Sequence, residues 1–113
     1  MRTWDDLSDL EREFMILADD EAMLWELHDL VEELTDTAGA AAVGLAQRVA
    51  EQLVREGFLW FYRLEEGYPP LSKREVVALL QSGQLWVPDD DTGMVTAICL
   101  YSTYAGDQLL DVG

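Results

Sequence analysis

The apolar periodicity of this chain changes from about 3.6 residues to 2 at Gly57, and no other feature limits its fold so tightly. Upstream, Leu7, Leu10, Phe14 and Leu17 recur at spacings of three, four and three, which sets them on one helical face with Asp9, Glu11 and Glu13 turned away. Downstream, "FLWFYRL" alternates between two faces and is dense in the aromatic residues that favour a pleated strand. A chain that begins in helices and then switches to strands belongs to the α+β class.

The helices can be bounded by their end signals. Ser8 and Glu11 fit the S-x-x-E capping box, so the first helix starts at Ser8. The acids Asp19, Asp20 and Glu21 suit a helix N-terminus and predict the start of the second, whose stripe is Leu24, Leu27, Val31 and Leu34, widened by Met23 and Leu30. "TDTAG" ends it, and Thr37 is placed to cap a third helix. There Leu45, Val49 and Leu53, with Ala42, Ala46 and Ala50, form a stripe of small residues that lets another helix approach closely, and Gly57 stands where a C-terminal glycine is expected.

In the strand that follows, Phe58, Trp60, Tyr62 and Leu64 share one face and Leu59, Phe61 and Arg63 the other. Both faces are largely apolar, which predicts cover on both sides. "EEGYPP" reads as a loop. The spacing then predicts a helix over 72–82, opened by a Ser72–Glu75 capping box and a Leu71–Val76 staple and closed at Gly83. "QLWVP" is a short extended piece, "DDDTG" an exposed turn, "MVTAICLYS" a second strand, and Thr103 opens a short last helix through Leu110.

At 113 residues the chain has room for one domain, spanning 1–113, with one core. Half its residues are apolar and 27% charged, the composition of a folded chain. The formal charge of −16 sets 23 acids against 7 basic residues, so bare nucleic acid, bound chiefly through Lys and Arg, is a disfavoured partner. Residues 1–36 hold thirteen of the acids and only Arg2 and Arg12 against them. The single Cys99, in an apolar run, reads as a buried thiol, and neither a leader nor a run of membrane-spanning length is visible; the expected location is the cytoplasm.

Candidate chemistry is sparse. His28 has Glu32 at i+4 and reads as a partly exposed ion pair; with no second His and no Cys nearby, no metal site is expected. "DDDTG" lacks the third ligand and the later Glu of a calcium loop. Neither a nucleophile with a base nor a phosphate-binding glycine loop is present, so no catalytic residue, cofactor or enzyme activity is expected. Of four tryptophans, Trp60 and Trp86 suit the core, while Trp4 and Trp25 are placed to anchor an interface.

Three helices, a strand straight after the third, a second strand and then T-x-x-G-x-x-L-L form an order that resembles the winged helix-turn-helix domain, in particular bacterial regulators of the MarR and PadR kind. "LVREGFLWFYR" is similar to the end of the recognition helix running into the first wing strand, and "YSTYAGDQLL", with Thr103, Gly106, Leu109 and Leu110, to the end of the wing. The resemblance implies a two-stranded wing, here enlarged by the helical insertion 72–82, and a dimeric DNA-binding regulator in which Gln47, Arg48, Gln52 and Arg55 of the third helix meet DNA.

The charge points elsewhere. The leading expectation is a non-enzymatic protein-interaction module, an inhibitor, immunity-type protein or regulatory adaptor, whose acidic face binds a basic partner protein. Trp25 and Met23 would anchor it, and Asp29, Glu32 and Glu33 would steer and hold the partner. The DNA-binding regulator is the alternative, and a homodimer is compatible with either.

Overall fold

The computed structural model describes residues 2–81, 86 and 98–112. A 3-10 turn at Trp4–Asp6 leads into α1 (Asp9–Asp19), α2 (Leu24–Leu34) and α3 (Gly39–Arg55); β1 (Leu59–Arg63), α4 (Lys73–Gln81), β2 (Ile98–Ser102) and α5 (Tyr104–Val112) follow. The fold is α+β, with five helices and a two-stranded antiparallel sheet among the described residues. The expected "DDDTG" turn, Gly83 and the first residues of the second strand lie outside the described residues.

The Ser8 box is formed: the Ser8 hydroxyl accepts from the Glu11 amide at 3.2 Å and the Glu11 carboxylate from the Ser8 amide at 3.0 Å. The other end of α1 departs from expectation. Asp19 completes α1 instead of opening α2, and Glu21 takes a left-handed conformation, φ 54°, just past its end. There the Glu21 amide donates to Ala18 and the Ala22 amide to Leu17, the paired bonds of a Schellman motif. The second helix starts later because Glu26 provides its own box, accepting from the Met23 amide at 2.6 Å.

Nor does Thr37 cap α3. Its hydroxyl is bonded to that of Thr35, which donates to the Val31 carbonyl. The first amide of α3, Gly39, donates instead to the Glu32 carboxylate of α2 at 3.0 Å, a cap supplied across the helix pair. At its far end α3 closes as its sequence indicates. Gly57 has φ 81°, its amide donates to Val54, and the Phe58 amide donates to Leu53, with Leu53 and Phe58 both fully buried.

Ala42, Ala46 and Ala50 are fully buried, so the small-residue stripe lies at the packed face of α3, whose neighbours are α2, α1 and α4. In the sheet Leu59 faces Ser102, Phe61 faces Leu100 and Tyr62 faces Cys99. Leu59 and Phe61 are fully buried, which makes theirs the core face; Trp60 and Tyr62, on the other, are half-covered. Two further pieces join the sheet. The turn between α1 and α2 bridges β2 through Met23 and Cys99, with the Leu100 amide donating to Ala22, and Pro70 bridges Tyr62 on the free edge of β1.

The box at Ser72 forms as expected, and Leu71 and Val76, the two residues of the expected staple, are both buried. Trp86 is fully buried and its indole donates to the Leu79 carbonyl at 2.9 Å. Trp60 is only half-buried, its indole donating to Leu71.

The T-x-x-G stretch is a docking joint. The Thr103 amide donates to Phe58, its hydroxyl to Gly57, and the same hydroxyl accepts from the Gly106 amide, so one residue caps α5 and ties it to the turn after α3. The N-terminus is held by charge: the Arg2 guanidinium bonds both the Glu11 carboxylate, at 2.5 and 2.9 Å, and that of Glu56.

Candidate functional site

The residues expected to meet a basic partner are on α2 and the residue before it. Trp25, Asp29 and Glu32, at i, i+4 and i+7, fall on its outer face. Asp29, Glu32 and Glu33 are exposed; Trp25 and Met23 are half-buried. Glu32 is not a free charge, since one of its oxygens caps α3. Asp29 and Glu33 take no part in that cap, so their replacement leaves it in place.

His28 contradicts the expectation of a partly exposed ion pair. Its side chain is 8% exposed, wedged between Asp29, 3.3 Å from Nδ1, and Glu32, 3.7 Å from Nε2. It lies four residues after the fully buried Leu24, hence about 40° away on the wheel, and shares that residue's burial. The donor atoms of His28, Asp29 and Glu32 lie within 4.8 Å of one another. Both carboxylates have structural work here, Asp29 against Nδ1 and Glu32 on the Gly39 amide.

The four donors of α3 are dispersed. Gln47 is half-buried and its Nε2 has no partner. Gln52 donates to Glu56 at 3.1 Å, and Arg55 is paired with Glu51 at 2.7 Å. Arg48 is exposed and, among the described residues, makes no ion pair.

A broad groove lies elsewhere. Its volume is about 830 Å³, and it runs over the half-covered face of the sheet, between the end of α1, the start of α5 and the loop after β1. Tyr62, Tyr68 and Tyr101 line it with three carboxylates, Asp19, Glu21 and Asp107. The Tyr62 and Tyr68 rings meet edge to face, 6.1 Å between centroids at 81°, and Tyr101 lies 5.9 Å from Tyr62 at 50°. Tyr68 is held over the sheet by the fold-back of its loop, in which the Arg63 amide donates to Pro69 and the Leu71 amide to Phe61.

Burial pushes the Tyr62 hydroxyl up to about 12, helped by the adjacent Cys99 thiol, and burial raises Tyr101 as well. Both phenols, uncharged at neutral pH even at the ordinary tyrosine value of about 10, are moved further from ionisation. Glu21 and Tyr68, at φ 54° and 45°, are the non-glycine residues with left-handed backbone among those described, and both line this groove.

Sequence reasoning missed the groove because its walls come from five separate segments. The available signal was the aromatic second face of β1, which called for cover that the chain supplies only in part. Among the described residues no helix is long and apolar enough to cross a membrane. No family model, no curated protein and no solved structure matches the chain.

Proposed function

We propose that this chain is a non-enzymatic protein-interaction module, an inhibitor, immunity-type protein or regulatory adaptor, that recognises a basic partner protein through its acidic surface. Its frame is of winged-helix type, with β1 and β2 as the wing and α4 inserted between them. The bridge from Met23 to Cys99 supports that frame, because it fastens the turn between the first two helices to the wing sheet.

The observation that carries the functional reading is a contrast between two helices. On α3, where a DNA reader needs open donors, Gln52 and Arg55 lie against Glu56 and Glu51 and Gln47 is half-buried, which leaves Arg48 as the one exposed donor of the four without such a neighbour among the described residues. On α2, Asp29 and Glu33 stand exposed beside the half-buried Trp25. Complementary charge on such a face speeds encounter with a basic partner, and an aromatic side chain beside it gives the complex an anchor.

The competing reading, a dimeric regulator with Arg48 and Arg55 on DNA, predicts the opposite behaviour in one assay. In a fluorescence-polarisation titration with duplex DNA at low ionic strength, where phosphate contacts are strongest, the chain is expected to give no binding. Saturable binding that disappears in Arg48→Ala would replace the proposal with the regulator.

A further inference from the structure

We propose that the tyrosine-lined groove receives an arginine side chain of the basic partner, an inference that rests on the protein-interaction role and adds a second, chemically defined site to it. Tyr62, Tyr68 and Tyr101 meet there with Asp19, Glu21 and Asp107, so one cleft offers both π faces and anionic oxygens. In a chain of net charge −16 its natural occupant is a cation.

The kind of cation follows from the combination. Aromatic faces attract any cation held within about 6 Å of a ring centroid, and alone would suit a quaternary ammonium. The carboxylates do more than balance charge, because they are hydrogen-bond acceptors and favour a ligand with several N–H donors. A guanidinium meets both demands: its plane lies on a ring while its fork of five donors reaches carboxylate oxygens side by side. An ammonium on a lysine has donors but no plane to stack. The uncharged phenols supply ring faces, leaving the negative charge to Asp19, Glu21 and Asp107, one of whose oxygens also accepts from the Ser102 hydroxyl.

Glu21 occupies a position where glycine is the favoured residue, since it follows the last turn of α1 in the left-handed region. A carboxylate is thus kept on the groove at a site where its backbone is strained. At about 830 Å³ the groove falls in the range of ligand clefts, about 300–1,000 Å³, and has room for the residues flanking the arginine as well.

The test is an NMR titration of the full chain with a blocked Gly-Arg-Gly-Arg-Gly peptide and its lysine counterpart at low ionic strength. The ring resonances of Tyr62, Tyr68 and Tyr101 are expected to move with the arginine peptide, which binds more tightly than the lysine one. Tyr68→Ala, at a side chain that is largely exposed, is expected to weaken binding about tenfold. Glu21→Gly is expected to weaken it similarly while raising Tm, a pairing that loss of folding cannot produce.

Wild-type affinity in both variants, equal affinity for the two peptides, or no binding of the arginine peptide would overturn the groove. If the peptide is instead released only by Asp29→Lys with Glu33→Lys, the groove is refuted while the interaction role on α2 survives. Arg48-dependent DNA binding, by contrast, would remove the interaction role itself.

Discussion

Replacing Gly106 with alanine is expected to lower Tm by about 12 °C, while the same replacement at Gly44 raises it by about 4 °C. A Cβ at Gly106 would overlap the Phe58 carbonyl and come within 2.9 Å of the Met15 Cε. The methionine end can move aside, but the carbonyl cannot, because its oxygen accepts from the Thr103 amide at the joint that seats α5. Relief requires α5 to lift from α1 and β2, a cost of about 3 kcal/mol on the scale of overpacked cores. At Gly44, inside α3, a Cβ meets nothing within 4 Å, and alanine gains about 1 kcal/mol of helix propensity. Thermal unfolding of the two variants checks both signs at once.

The second large effect is expected at Arg2. The guanidinium binds Glu11, whose residue is 7% exposed, and Glu56, joining the N-terminal segment to α1 and α3. Arg2→Ala leaves the Glu11 carboxylate buried with only the Ser8 amide for a partner. Stranding a fully buried charge costs about 3–5 kcal/mol; with Arg2 itself 30% exposed, about 2 kcal/mol is expected here. Arg2 holds the carboxyls of Glu11 and Glu56 below the usual glutamate range. A depressed acid stabilises the fold fully above its unfolded pKa, about 4.3, and that contribution is lost as pH falls through the lower folded value. Denaturant titrations should therefore show a wild-type advantage over Arg2→Ala that is constant from neutral pH to about 5 and shrinks below about 4. An advantage that grows on acidification would contradict this assignment.

Features encoded by short spacings were legible in the sequence. The boxes at Ser8 and Ser72, the glycine stop at Gly57, the alanine stripe of α3 and the order of helices and strands all depend on residues a few positions apart. Where two local signals competed, the choice needed the folded chain. Asp19 to Glu21 look like a helix start, yet the apolar stripe of α1 runs on through Ala18 and Glu26 opens α2 on its own. Thr37 looks like a cap until Glu32 arrives from the neighbouring helix. The candidate site was legible on α2, where Trp25, Asp29 and Glu33 share a helix, and hidden at the groove. Tyr101 and Tyr62 become neighbours only through the strand register, and the Glu21 position follows from a helix end that carries no glycine.

That Glu32 caps α3 also changes how the acidic face is to be probed, since its reversal would disturb the helix pair as well as the charge. Asp29→Lys with Glu33→Lys leaves that cap in place. Parallel affinity capture with the wild type and this double variant, each checked for an unchanged Tm, is the most direct measurement. A basic polypeptide retained by the wild type and at least about tenfold depleted with the variant is the predicted result. Equal retention of that polypeptide by both proteins would contradict recognition through the acidic face.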